Sequence, residues 1–301
     1  MTLLNVALLS SCFSLFFMIL SGCGSGDTEN ASPSEEITTI KFWNGNRSEV
    51  RKEYERKVFV ALLEATEAEY GSWEIEENLD EYPGAEEALV FKEKGHDVFV
   101  TIAGNQKFDE DDMIVIPHLL TKNLLGYRVA IIREEDTGKF ASIEEEAQIQ
   151  QLTHGIPETW SDAVIFRENG YQVAEEGDFE DIFDRLEAGN FDYSAYGANE
   201  VLSVFEYRAA ERESLVMDEN LLFFYPFPLV FYVSPDQPAL AERIEAGMQA
   251  IQKSGALDAI FDQHYGNIVE ELHLSDRKLI ILDNPLIPER FRDLRPELGK
   301  L

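Results

Sequence analysis

The chain of 301 residues contains two cysteines, and that scarcity limits how it can be held together. Cys12 lies inside an apolar N-terminal run and Cys23 just beyond it, so no disulfide framework can staple the body. A chain of this length can instead bury enough surface to build an ordinary core. Positive charge is also scarce. Lys and Arg number 25 against 58 Asp and Glu, a formal net charge of -33. Nucleic acid and anionic membrane surfaces repel such a body. Solubility in a saline habitat and attraction of a cationic ligand are both compatible with it. The five histidines (His96, His118, His154, His264, His273) show no H-x-x-x-H or H-E-x-x-H spacing, which argues against a zinc site. There is no G-x-S-x-G elbow and no Gly-rich phosphate loop. Acidic runs such as Glu144-Glu145-Glu146 read as solvated faces. The sequence points to no enzyme, no metal and no cofactor.

What is present begins at the N-terminus. Residues 1–22 carry no charged side chain, and Leu3 to Leu20 has the length and position of a signal-peptide core. A spanning helix needs about 20 predominantly apolar residues, and this run is interrupted by Asn5, Ser10, Ser11 and Ser14. Leu20-Ser21-Gly22-Cys23 resembles the bacterial lipobox. That resemblance implies a signal peptide over 1–22, cleavage before Cys23, a diacylglyceryl group on its thiol and a further acyl chain, such as palmitate, on its amine. Two or more chains anchor stably where one does not. An ordinary signal anchor is the alternative, and the lack of Lys or Arg before the apolar run leaves the true start open. Residues 23–36, opening Gly24-Ser25-Gly26 after the cysteine, read as a flexible tether. The expected location is the periplasmic face of a bacterial membrane. Gly24 following the cysteine favours the outer one by resemblance to enteric lipoproteins, though either membrane is compatible.

From Ile37 onward short β-rich runs alternate with longer amphipathic stretches, the pattern of an α/β fold with a largely parallel sheet. Strands are expected at Ile37–Trp43, Trp73–Ile75, Asp97–Thr101, Ile114–Pro117 and Tyr127–Arg133. Ser48 opens a helix to about Tyr70, with Val58, Leu62 and Ala65 on one face and Gly71 ending it. Ala85–Glu93 is expected to be helical, and Ser142 with Glu145 forms a capping-box pattern. A second series follows: helix Ser161–Asn169, strand Tyr171–Ala174, helix Phe179–Ala188, strand Phe191–Tyr196 and helix Asn199–Glu211. Then come the aromatic run Leu221–Val233, helix Ala239–Lys253 resumed to Tyr265, and a tail through Leu279–Leu282. Two series suggest two lobes; one large sheet is the alternative.

The segment Ala239–Gly266, with Ser254-Gly255, Leu257-Asp258, Ile260-Phe261 and Tyr265-Gly266 in order, resembles the C-terminal helix pair of type II periplasmic solute-binding proteins. Phe183 to Asp192 resembles a helix–strand unit of their second lobe. Tyr225-Pro226-Phe227-Pro228 followed by Val230–Val233 resembles the strand returning to the first lobe. The pattern covers most of residues 37–270 and is most similar to the amino-acid-binding branch, extracellular solute-binding family 3. The resemblance implies a two-lobed α/β fold with hinge strands and an interlobe cleft. Lobe 1 would span 37–128 plus 229–301, and lobe 2 129–228. It further implies a monomeric binder of a small polar solute, with an ABC permease or a membrane sensor as partner; the lipobox puts the membrane contact at lipid on Cys23, and the acidic charge argues against nucleic acid.

In the amino-acid binders an Arg after the strand matching Asp97–Thr101 grips the ligand's carboxylate. Here the stretch reads Ile102-Ala103-Gly104-Asn105-Gln106-Lys107, without arginine. Lys107 can supply the charge, with Thr101 or Asn105 for hydrogen bonds. Trp43 and Asn44 close the first strand, where α/β sheets bind ligands, so Trp43 either stacks on ligand or packs. Trp160 starts a second-lobe helix and is either a ligand contact or a staple onto the core. Tyr196 and Asn199 lie where the family's ligand-facing carboxylate is found, Asn199 reading more readily as a helix cap. Glu200 suits an amine. Arg128 sits on the expected hinge strand, with an interlobe salt bridge as its structural alternative.

Overall fold

The computed structural model describes residues 37–109 and 112–301. The signal, the lipobox cysteine Cys23 and the tether lie outside the described residues. Among the described residues no helix is long and apolar enough to cross a membrane.

In chain order the strands and helices are β1 (Thr38–Trp43), α1 (Glu49–Tyr70), β2 (Trp73–Asn78), β3 (Val98–Ile102), β4 (Ile114–Ile116) and β5 (Tyr127–Arg133). Next come α2 (Thr137–Ala141), α3 (Glu146–Ile149), β6 (Thr153–Ile156), α4 (Ser161–Glu168), β7 (Gln172–Glu175), α5 (Ile182–Glu187) and β8 (Tyr193–Gly197). The last are α6 (Val201–Val204), β9 (Leu215–Met217), β10 (Leu221–Phe224), β11 (Leu229–Val233), α7 (Pro238–Ser254), α8 (Ala256–Tyr265), α9 (Ile268–Glu271) and β12 (Lys278–Ile281).

The strands form two sheets, one ordered β2-β1-β3-β11-β4 and the other β12-β10-β5-β8-β6-β7, with β9 also paired to β5. Neither is largely parallel, contrary to expectation. Pairs β1–β2, β1–β3, β6–β7, β6–β8 and β10–β12 are parallel, while β3–β11, β11–β4, β5–β8, β5–β9 and β5–β10 are antiparallel. The cause is the crossing of the chain between sheets. It leaves the first after β4, returns through Tyr225–Pro228, and its entering strands β5 and β11 run against their neighbours. The tail also departs from expectation. Past Glu271 it does not stay with the first sheet, because β12 pairs in parallel with β10, so 229–301 contributes to both.

The first sheet is covered on both faces, and strand alternation assigns the residues. Val98, Val100, Phe231 and Val233 join the core built on α1, α7 and α8. Their neighbours Phe99, Val230 and Tyr232 face a second cluster with Val90, Phe108 and Phe291. Segment 85–93 is part of this second cover. It is a series of turns around one 3₁₀ turn, Glu87–Leu89, not the expected helix. Only Val90 in it is fully buried, so there is no apolar stripe for a helix to bury.

Helix α1 ends at Gly71 in the left-handed region (φ 81°), as its position predicts. Its buried stripe holds Tyr54, Glu55, Val58, Phe59, Leu62, Leu63 and Thr66, whereas Ala65 faces solvent. The capping box lies three residues later than expected. Glu145 is the cap, and its backbone N–H donates to Gln148 Oε1 at 2.8 Å. Ser142 instead closes α2 by donating to the Lys139 carbonyl at 2.7 Å. Helix α6 starts at Val201 and passes into a π-helical turn, Phe205–Ala209.

Two stability tests follow. Gly247 on α7 lies against α1 so closely that a Cβ would sit 2.7 Å from the Leu62 carbonyl oxygen. Gly247→Val should therefore lose about 1–3 kcal/mol in urea denaturation, the usual result of overpacking a core. His154 is 1% exposed, stacked on Tyr193, with Nε2 accepting from the Ala195 N–H at 3.1 Å. Burial pushes its pKa well below the ordinary 6.5. The unfolded chain then takes up a proton that the folded chain refuses. Stability is full above pH 6.5 and should fall below it, by at most about 1.4 kcal/mol per pH unit from this residue. His154→Asn should show a shallower loss of melting temperature between pH 6.5 and 5 than the wild-type chain.

Candidate functional site

The carboxyl ends of β1, β3 and β8, the start of β5 and the first turn of α4 converge between the two sheets. They enclose a cavity of about 140 Å³ whose walls include Arg47, Arg51, Arg128, Asp162 and Glu200. A wider outer chamber of about 640 Å³ shares Arg47, Glu87, Trp160 and Phe179 with it and adds Tyr82 and Arg208. The sites sit where loops leave strand ends, as ligand sites in α/β sheets do.

Local structure fixes each charged group. Arg47 follows β1, and its guanidinium donates to the carbonyls of Gly45 and Val100, with Nε 2.7 Å from Glu55 Oε2. Arg51 lies one turn before Glu55 on α1 and donates to its Oε1 from Nε (2.9 Å) and Nη2 (2.8 Å). Glu55 thus places a fully buried carboxylate in the apolar stripe of α1, matched by two arginines from the same region. Arg128, on β5, donates from Nε to the Tyr225 hydroxyl at 2.7 Å and from Nη2 to Asp162. Tyr225 in turn donates to Asp162 at 2.5 Å. Both rings of Tyr225 and Phe227 flank the Arg128 guanidinium.

Glu200 links the sets. Its carboxylate stands 3.5 Å from Arg51 Nη1 and 3.7 Å from Arg128 Nη1. Nη1 of Arg128 is buried and makes no hydrogen bond. Burial works against charge on these arginines, yet Asp162, Tyr225 and Glu200 hold Arg128 above its ordinary pKa, and Glu55 with Glu200 do the same for Arg51. For Arg47 burial prevails and its pKa falls. Burial also pushes the Tyr225 hydroxyl well up, so it stays a donor to Asp162.

Of the residues singled out in the sequence, Thr101, Asn105, Lys107, Arg128, Trp160 and Glu200 line this cavity. Thr101 accepts from Asn105 Nδ2 at 2.9 Å, and Lys107 Nζ pairs with Glu87 at 2.8 Å. The others lie elsewhere. Trp43 is stacked against Tyr82 and tilted on Phe99, its indole N–H donating to the Asp80 carbonyl at 3.0 Å. Its bulk fills the second core cluster. Asn44 is fully buried, and its amide ties the Lys52 carbonyl to Glu77. Tyr196 packs on Phe179 and Phe183 beneath Trp160, and its hydroxyl accepts from Ser194. Asn199 faces a different cavity and makes no side-chain cap.

Arg47, Arg51, Glu55 and Asp162 were not singled out by the sequence reading. One signal was available: Arg47, Arg51 and Glu55 recur every four residues, and Glu55 interrupts an otherwise apolar stripe. Among the described residues no group of three or more His, Cys, Asp and Glu is placed to hold a metal ion.

A Cβ on Gly84 would sit 2.4 Å from Thr159 Oγ1, so the first sheet's loop touches the second sheet's α4 loop at the cavity mouth. Thr159 itself holds φ at 69°, an outlier for a β-branched residue.

No family model matches the chain, and no curated protein does. Solved structures do. The chain superposes on a probable amino-acid ABC transporter extracellular-binding protein from Bacillus subtilis with a TM-score of 0.57 at 12% identity, covering 77% of this chain and 99% of that one. A histidine kinase sensor domain with similarity to periplasmic binding proteins gives 0.56 at 15% identity, over 76% and 97%. An ancestral arginine-binding protein bound to arginine gives 0.53 at 14%, over 76% and 98%. These likenesses establish the architecture: two α/β lobes, each on a mixed sheet, in the periplasmic-binding-protein-like fold.

Proposed function

We propose that the chain is an extracytoplasmic solute-binding lipoprotein, anchored through Cys23, that captures a small polar ligand carrying both charges, an amino acid or a close relative, between two closing lobes for ABC-type uptake. Lobe 1 is built on the first sheet. Lobe 2 is built on 129–228 with β12 added. One observation carries the reading: Glu200 of lobe 2 stands at 3.5 Å from Arg51 of lobe 1 and 3.7 Å from Arg128 at the junction. These contacts are long for hydrogen bonds, so a ligand carboxylate can take the guanidinium edges while its ammonium takes Glu200. A fork-shaped donor matches two carboxylate oxygens. The arginine missing after β3 is thereby replaced from α1 and β5.

Hinge closure is a two-state element that ligand contacts in both lobes bias. The likeness to a sensor domain supports a second reading, the same capture step reported to a membrane partner. Crosslinking to a permease or to a kinase in membranes separates the two.

A thermal-shift screen of the full-length chain against amino acids, polyamines, sugars and organic acids tests the capture step. Ligand at 100 times its Kd should stabilise by about 2.7 kcal/mol, and amino-acid-like zwitterions should do so while sugars and organic acids do not. A flat response across every class overturns the reading. Glu200→Gln should weaken the responding ligand about 10- to 100-fold, the worth of a charged hydrogen bond of about 1.5–3 kcal/mol. Gly84→Val should prop the mouth open against Thr159 and lower affinity without moving the unliganded melting temperature by more than a few degrees.

A further inference from the structure

A second cavity, of about 520 Å³, opens on the other side of Glu200. Its walls come from α1 and α8 in lobe 1 and from Ala198–Tyr207 in lobe 2, so it too lies between the lobes. The solute-capture reading makes no use of it.

Its rim is apolar. Leu79 on lobe 1 is 52% exposed and Tyr207 on lobe 2 is 65% exposed, and both line it. Large side chains left this open on facing walls offer contact to an apolar body. Its floor is polar and unmatched. Asn199 is 2% exposed, and neither atom of its amide has a hydrogen-bond partner. The Tyr265 hydroxyl, beside it in the wall, is likewise buried and unpaired. Buried amides and hydroxyls are nearly always satisfied, so such groups point to a partner the chain does not supply.

The charge is one-sided. Lys52 is matched to Glu49 at 2.8 Å and Arg56 to Glu77 at 2.9 Å. Glu206 and Glu271 line the cavity with no ion-pair partner among the described residues. Glu206 and Tyr207 are delivered by the π-helical turn Phe205–Ala209, a distortion that is frequently found at functional sites.

We propose that this groove is a second ligand site, for an amphiphilic organic cation: a primary amine on an aromatic or aliphatic body. The ammonium would face Glu206 and Glu271, the apolar body would lie between Leu79 and Tyr207, and polar atoms would reach Asn199. Because Glu200 walls both cavities, and each occupant bridges both lobes, the amine favours closure of the cleft. That coupling rests on the solute-capture reading; the site itself does not.

The test is calorimetric titration of the full-length chain with phenethylamine, putrescine and the neutral analogue 2-phenylethanol. Phenethylamine should bind one to one, tighter than putrescine and at least tenfold tighter than the alcohol. Tyr207→Ser, and Glu206→Gln with Glu271→Gln, should each weaken it about tenfold while leaving unchanged the melting temperature and any solute found in the screen above. No phenethylamine binding at millimolar concentration overturns the proposal. So does binding that those variants leave intact and Arg51→Gln abolishes, which would put the amine in the interlobe cleft. Should the solute screen be flat, the groove still stands or falls on these variants, and only the coupling is lost.

Discussion

The buried charge of Arg128 is the constraint around which the two lobes are arranged. Arg128 is 2% exposed, on the first strand of the second sheet, where the chain has just crossed from the first. An isolated ion there would be prohibitive, and the fold compensates with Asp162 from α4, Tyr225 from the returning crossing and the more distant Glu200. Those three groups arrive from three separate segments. Satisfying one cation thus fixes the position of the α4 first turn, the return strand and the loop after β8 relative to the crossing.

Lobe 1 mirrors the arrangement. Glu55 is a carboxylate with no exposure inside the apolar stripe of α1, and Arg47 and Arg51 neutralise it. Buried pairs contribute little net stability compared with apolar packing. Arg51 of lobe 1 and Arg128 at the junction are already desolvated and oriented, and Glu200 of lobe 2 stands 3.5 Å from one and 3.7 Å from the other. The overall charge of -33 fits this economy of cations. Positive groups are few, and several of them are spent at the cleft.

The mixed sheets have the same origin. Two crossings between lobes force β5 and β11 to enter antiparallel to their neighbours, while the remaining strand pairs keep the parallel register of an α/β fold. The tail then recrosses to add β12 beside β10, so the lobes are joined by a third passage of chain. Asn169 of lobe 2 reinforces that passage by bonding Asp283 through both its amide atoms.

Much of this was legible in the residues. The alternation of periods gave the strands β1, β4 and β5 and the helices α1, α7 and α8 nearly to the residue, because their apolar stripes and their glycine stops at Gly71 and Gly255 are local signals. The order of motifs near the C-terminus carried the resemblance to the binding-protein fold. Segments without a stripe were misjudged: 85–93 is turns laid over a sheet face, and 199–211 unwinds into a π turn. Of the cavity lining, Thr101, Lys107, Arg128 and Glu200 were reached through the resemblance to the binding-protein family, and Trp160 through its place at the start of a helix. Trp43 and Tyr196 were also singled out yet turned inward, because a strand's alternate faces are chosen by what packs against them. The pairing of Arg51 with Glu55 was a local i,i+4 pattern, whereas the approach of Glu200 to Arg51 was decided only by tertiary structure, since the two are 149 residues apart and no local pattern relates them.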